Sequence, residues 1–220
     1  MIQINSIISS HIEVEHHTYS VREDSVKYDI SSINFDLLRR EFAKTKRKNL
    51  LIKDLEELIQ FKINKMMSIN PNRINYYEHY QKIIEEYNDE QNRVNIEKTF
   101  MDLMNLANNL SNEEKRYIRE GFTCDEELSI YDLLFREDLS KNVIKKIKEV
   151  SVELLQTIKT KIAEFDHWQD KQETKAAIDN LIRDTLWAKL PESYDDSSIT
   201  YYRHQVYEYV YTTYNYVNAY

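Results

Sequence analysis

The stretch SKNVIKKIKEVSVELLQTIKTKIAEF, Ser140–Phe165, decides the fold. At 100° per residue Val143, Ile147, Val150, Leu154, Ile158, Ile162 and Phe165 fall on one face, which predicts an amphipathic helix of about seven turns. The rest of the chain agrees with it by omission. There is one glycine, Gly121, in 220 residues, and there are two prolines. Average usage gives roughly 15 and 11. Hairpin corners, phosphate loops and nucleophile elbows need the positive φ that glycine supplies. A chain so poor in glycine builds almost none of them, which sets aside most nucleotide-binding and hydrolytic folds.

Helical spacing recurs outward from this segment. Phe35, Leu38 and Phe42, then Leu51, Leu55, Leu58, Ile59 and Met66, predict two helices with Lys44-Thr45-Lys46-Arg47-Lys48-Asn49 between them. Asn70-Pro71 is a stop and restart. Tyr76, Tyr77, Tyr80, Ile83, Ile84 and Tyr87 form the next stripe, and Ile96, Phe100, Leu103, Met104, Ala107 and Leu110 another. Ser111-Asn112-Glu113-Glu114 reads as a capping box opening a helix that ends near Gly121. Asp125 is expected to cap a short helix through Leu133. Asp170 is expected to cap one that carries Ile178, Leu181, Ile182, Leu186 and Leu190. A last helix, from about Ser197 to Tyr216, places Ile199, Tyr202, Val206, Tyr209 and Thr213 on one side. The alternation of His11, Glu13, Glu15 and His17 with Ile12, Val14 and His16 predicts a short strand or extended arm. The expected fold is all-α: an irregular multi-helix bundle with that arm at 1–28. Two helical subdomains, 29–120 and 121–220, are one division, and a single helical body is the alternative.

Composition narrows function. Net charge is -8, which argues against a dedicated, sequence-independent nucleic-acid binder but leaves room for a local patch. The lone Cys124 excludes an internal disulfide and points to a reducing, cytoplasmic setting. No apolar run is long enough for a membrane span, and Met1–Ser10 does not make a signal peptide.

The His11–His17 cluster has alternating ligands but no partner cluster to enclose an ion, so no metal and no cofactor is expected. Asp125-Glu126-Glu127-Leu128 superficially resembles the acidic box of nucleic-acid motors. Without a buried apolar strand and a glycine-rich phosphate loop it reads as the acidic start of a helix. No Ser/His/Asp or Cys/His arrangement is visible, and no catalytic residue is assigned. Candidate contacts with DNA backbone are Lys44, Lys46, Arg47 and Lys48. A second lysine row, Lys141, Lys145 and Lys148, lies on one flank of the long helix, where an ordinary solvated flank is the competing reading. Of 17 tyrosines, eight fall between Tyr201 and Tyr220. Tyr201, Tyr207, Tyr211 and Tyr214 lie largely off the apolar stripe. They are candidates for a protein interface, against simple core filling.

Several segments resemble the region that follows the motor lobes in type I restriction enzyme R subunits. They are DISSINFD (Asp29–Asp36), NPNRINYYE (Asn70–Glu78) and YQKIIEEYN (Tyr80–Asn88), then YDLLFREDLS (Tyr131–Ser140) and WQDK (Trp168–Lys171). LPESY (Leu190–Tyr194) and VYEYVY (Val206–Tyr211) follow in the family's order. The similarity covers about residues 29–214 and leaves 1–28 outside. The resemblance implies a helical region that packs on the remaining motor domains of the R subunit. It also implies docking onto the methyltransferase and specificity subunits of a complex that translocates and cuts double-stranded DNA. The nuclease carboxylates, the phosphate loop and the motor motifs of that family have no counterparts here, so the ATP-dependent deoxyribonuclease activity is expected of the parent complex and not of this chain. A self-associating helical scaffold unrelated to restriction is the alternative.

Overall fold

In the computed structural model, which describes residues 30, 33–88 and 95–214, helix boundaries follow local capping chemistry. Asn34 lies in extended backbone, and its Oδ1 accepts from Leu37 N–H at 3.0 Å, opening α1 (Phe35–Lys44). The chain turns at Thr45, whose Oγ1 accepts from Arg47 N–H at 3.1 Å, and enters α2 (Lys48–Ile69). Pro71 forbids continuation. A 3-10 turn, Pro71–Arg73, leads into α3 (Ile74–Asn88), and α4 (Ile96–Glu114) and α5 (Arg116–Arg119) follow. Then come α6 (Asp125–Leu134), α7 (Lys141–Ala163), α8 (Gln172–Lys189) and α9 (Asp196–Thr213). Among the described residues there are nine α-helices and no strand, so the fold is an all-α multi-helix bundle. The expected arm at 1–28 lies outside the described residues.

Contacts divide the chain into two units. The first comprises the described residues up to Met67 together with Arg73–Lys115; the second comprises Ser68–Asn72 and the chain from Arg116. In the first, α2 is buried on most of its circumference, through Leu51, Ile52, Leu55, Leu58, Ile59, Ile63 and Met66. Around it pack Leu38 and Phe42 of α1, Tyr80 and Ile83 of α3, and Phe100, Leu103, Leu106 and Leu110 of α4. Two cations are buried with this core and both are paired. Arg73 Nε donates to Glu113 Oε1 at 3.2 Å, and Lys62 pairs with Glu114.

That pairing overturns the capping-box reading of Ser111–Glu114. Helix α4 runs straight through Ser111. Glu113, which would have to reach back to the Ser111 backbone, is taken by Arg73 and by the Tyr76 hydroxyl at 3.4 Å. The break comes instead at Lys115. Gly121 does end the next helix as expected. At φ +84° its N–H donates to Ile118 O (3.1 Å) and Phe122 N–H donates to Tyr117 O (2.9 Å), the paired bonds of a left-handed C-cap.

In the second unit α6 packs on α7, α7 on α8, α8 on α9, and α9 back on α6, closing a ring of four helices. The expected face of α7 is the inward one. Ile147, Val150, Leu154 and Ile158 are buried, and Val143, Ile162 and Phe165 are half-buried toward the ends. Ser151 and Leu155 are buried as well, because α7 has neighbours on two sides and its apolar arc must widen to meet both.

Two expected caps are displaced by one residue. Cys124, not Asp125, is the N-cap of α6; the Glu127 carboxylate accepts from Thr123 N–H at 2.7 Å and Thr123 Oγ1–H at 2.9 Å. Lys171, not Asp170, precedes α8, because Asp170 N–H is bound to His167 O in a preceding turn. Ser140, the expected start of the helix, is the N-cap of α7, and Asp195 caps α9, its carboxyl held near 2 by bonds from Ser198 and Ser197.

Candidate functional site

The C-terminal segments that carry the family resemblance meet one another in the second unit, in two knots. In the first, the Arg136 guanidinium grips Asp138 bidentately at 3.0 and 2.5 Å, donates to Ser193 O at 3.1 Å, and lies 5.3 Å over the Tyr194 ring. Tyr194 is 4% exposed, and its hydroxyl donates to Leu134 O at 2.5 Å, taking a carbonyl that the end of α6 leaves without a helical partner. Burial, and after it neighbouring Tyr202, raises the Tyr194 phenol well above its ordinary range. The bond from Arg136 holds the Asp138 carboxyl below the usual carboxylate range.

In the second knot, Trp168 Nε1–H donates to Tyr214 O at 2.9 Å and Gln169 Nε2–H to Tyr211 O at 2.5 Å, so the turn before α8 ties down the end of α9. The indole stands edge-on to Tyr207 and Tyr211, at 6.4 and 5.7 Å between centroids. FRED with LPESY, and WQD with VYEYVY, are thus packing signatures. Their side chains hold loops to helix ends.

This sorts the four candidate tyrosines. Tyr214 is an internal strut: its hydroxyl donates to Glu126 Oε1 at 2.8 Å, and Lys159 sits 5.7 Å over its ring while pairing with Glu126. Tyr207 is half-buried against Trp168. Tyr201, 58% exposed, and Tyr211 face outward, and so does Trp187 of α8, 59% exposed. Sequence reading missed Trp187, although it stands one position off the Ile178–Ile182–Leu186 line of its helix. Between α8 and α9 runs an open groove of about 500 Å³, lined in part by Lys175, Asp179, Arg203, His204, Tyr207 and Glu208. Arg203 pairs with Asp179 across it at 3.3 Å. Burial first, then the negative Asp179, raises the Tyr207 phenol.

The candidate cations also separate. Lys46 and Arg47 are exposed in the α1–α2 turn with no ion pair among the described residues, and Lys44 has only a loose one to Glu41 at 3.7 Å. Lys48 is turned inward, pairing with Glu97 at 2.5 Å and lying 5.2 Å over Phe42. Lys141 and Lys145 are exposed near the start of α7. Lys148 is committed elsewhere: its ammonium donates to Glu120 Oε2 at 2.7 Å and to Glu120 O at 2.8 Å, between the faces of Phe122 and Tyr131. The His11–His17 cluster lies outside the described residues. Among the described residues, no three His, Cys, Asp or Glu side chains stand where they could hold a metal ion.

No described helix is long and apolar enough to cross a membrane. No curated protein and no solved structure matches the chain. Residues 2–209 match the family described as type I restriction enzyme HindI endonuclease subunit-like, C-terminal. That span starts ahead of the segments at 29–214 and takes in residues 2–28 as well. The chain therefore belongs to the family of C-terminal regions of type I restriction endonuclease subunits.

Proposed function

We propose that this chain is the assembly part of a type I restriction motor subunit, docking onto the methyltransferase–specificity core and carrying no catalytic residue of its own. The remaining motor domains of the R subunit supply nuclease and translocation chemistry, and the whole works in the cytoplasm. The observation that supports this is the exposure of Trp187, Tyr201 and Tyr211 on the α8–α9 pair of a chain from this family. Large rigid aromatics held in water on a well-packed pair of helices favour a protein neighbour.

The variant W187A/Y201A, titrated by calorimetry into the cognate core, is expected to bind at least tenfold more weakly than the native chain. Equal affinity would remove this face from the interface. Self-association is the second reading, and the same exposed rings serve it. Tyr207 and Tyr214, which a homo-oligomer seam along the end of α9 would need, are packed against their own unit. A light-scattering dilution series showing a stable dimer would favour that reading.

A further inference from the structure

The charge of this acidic chain is reversed at the corner between α1 and α2. Residues 39–53, RREFAKTKRKNLLIK, carry seven Lys and Arg against the single Glu41, a net of +6 where the whole chain is -8. Six of these cations, Arg39, Arg40, Lys44, Lys46, Arg47 and Lys53, are exposed; the seventh, Lys48, is turned to Glu97. On α1, Arg40 and Lys44 lie opposite the buried Leu38 and Phe42, one turn or about 6 Å of rise apart. On α2, Lys53 lies opposite Leu51, Leu55 and Ile59, about 8 Å from the start of the helix. Thr45–Arg47 joins the two rows. The first turn of α2 holds no acidic side chain of its own, and the carboxylate that reaches it from α4, Glu97, is engaged by Lys48.

We propose that this corner is a sequence-independent contact for the phosphate backbone of duplex DNA, made by Arg39, Arg40, Lys44, Lys46, Arg47 and Lys53. The inference goes beyond the assembly reading and does not depend on it. Duplex is favoured over single strand by what the corner lacks. The aromatic side chain of the segment, Phe42, is buried and stacked on Phe100 at 3.7 Å, so it offers no face to an unstacked base. Single-strand grooves depend on such faces, whereas backbone contact needs only exposed, uncommitted cations.

The test is fluorescence anisotropy with the full chain, a labelled 20-base-pair duplex, the matching single strand and a KCl series. Each phosphate contact contributes about -0.9 to the slope of log affinity against log salt, so with all six cations engaged a slope of about -5.4 is expected. K44Q/K46Q/R47Q, with unchanged circular dichroism, should move that slope toward zero by about 2.7. K48Q should leave it in place, and so should K141Q/K145Q, which removes charge from the other unit. Failure of the chain to bind duplex at low salt would overturn the proposal, as would an unchanged slope in the triple variant. So would an equal loss in K141Q/K145Q, which would make net charge the cause. Tighter binding of the single strand, or competition by polyglutamate as effective as by DNA, would assign the corner to another partner.

Discussion

Tyr194→Phe removes one oxygen atom and tests whether the Arg136–Tyr194 knot stabilises the second unit. The ring stays, with its packing at 4% exposure and its contact with Tyr202 at 5.4 Å between centroids. The bond lost is the 2.5 Å donation to Leu134 O, and Leu134 is fully buried. An ordinary hydrogen bond contributes about 1 kcal/mol net, and a buried acceptor left without a donor costs about 1–3 kcal/mol. The expected loss is therefore about 1.5–2.5 kcal/mol. In urea unfolding followed by circular dichroism, the midpoint should fall while the denaturant slope stays constant. Tyr194→Ala should lose about 3–5 kcal/mol, because the cavity left by the ring adds to the missing bond. Y194F within about 0.3 kcal/mol of the native chain would refute the reasoning, since the Leu134 carbonyl would then have another partner or none to lose.

Gly121→Ala is expected to lose about 1 kcal/mol; no atom lies within 4 Å of the added methyl, so the penalty is that of holding alanine at φ +84° and will show as a lower melting temperature. Burial raises the Glu56 carboxyl, with Glu57 adding to it, and Lys53 opposes; its Oε1 has no bonding partner. A raised folded pKa gives stability that is present in acid and lost as pH rises through that value, so E56Q should be the more stable at neutral pH and flatten the pH profile above about 4.5, the ordinary carboxyl value. Burial is the main cause that raises the phenols of Tyr194, Tyr209 and Tyr214. The second unit should thus keep its stability up to about pH 10, the unfolded value, and lose it progressively above, with Y194F/Y209F showing the shallower alkaline decline. W187A/Y201A should unfold within about 0.5 kcal/mol of the native chain, because neither ring is buried.

Much of the fold was legible because spacing and helix ends are local properties. The α7 stripe and its start near Ser140, the stop at Asn70-Pro71 and the Gly121 terminus all depend on residues within one or two turns. What misled was chemistry decided at a distance. Ser111-Asn112-Glu113-Glu114 has the letters of a capping box, but Arg73, forty positions away, claims the glutamate. Lys48 and Lys148 look like any exposed lysine in a basic run. Glu97, on α4, and Glu120, in the turn after α5, draw them into ion pairs, and no count of charges along the chain shows that. The tyrosine-rich end divided for the same reason: Tyr214 is fixed by Glu126, whereas Tyr201 has no such partner to hold it inward. Trp187 could have been found from its helix alone, by noticing a tryptophan placed off the buried line.

Size-exclusion chromatography with light scattering, on this chain mixed with its cognate methyltransferase–specificity core, tests the assembly claim most directly. A complex of defined mass that survives moderate salt and is lost in W187A/Y201A is the expected result. A folded, monomeric chain that elutes apart from the core would contradict it.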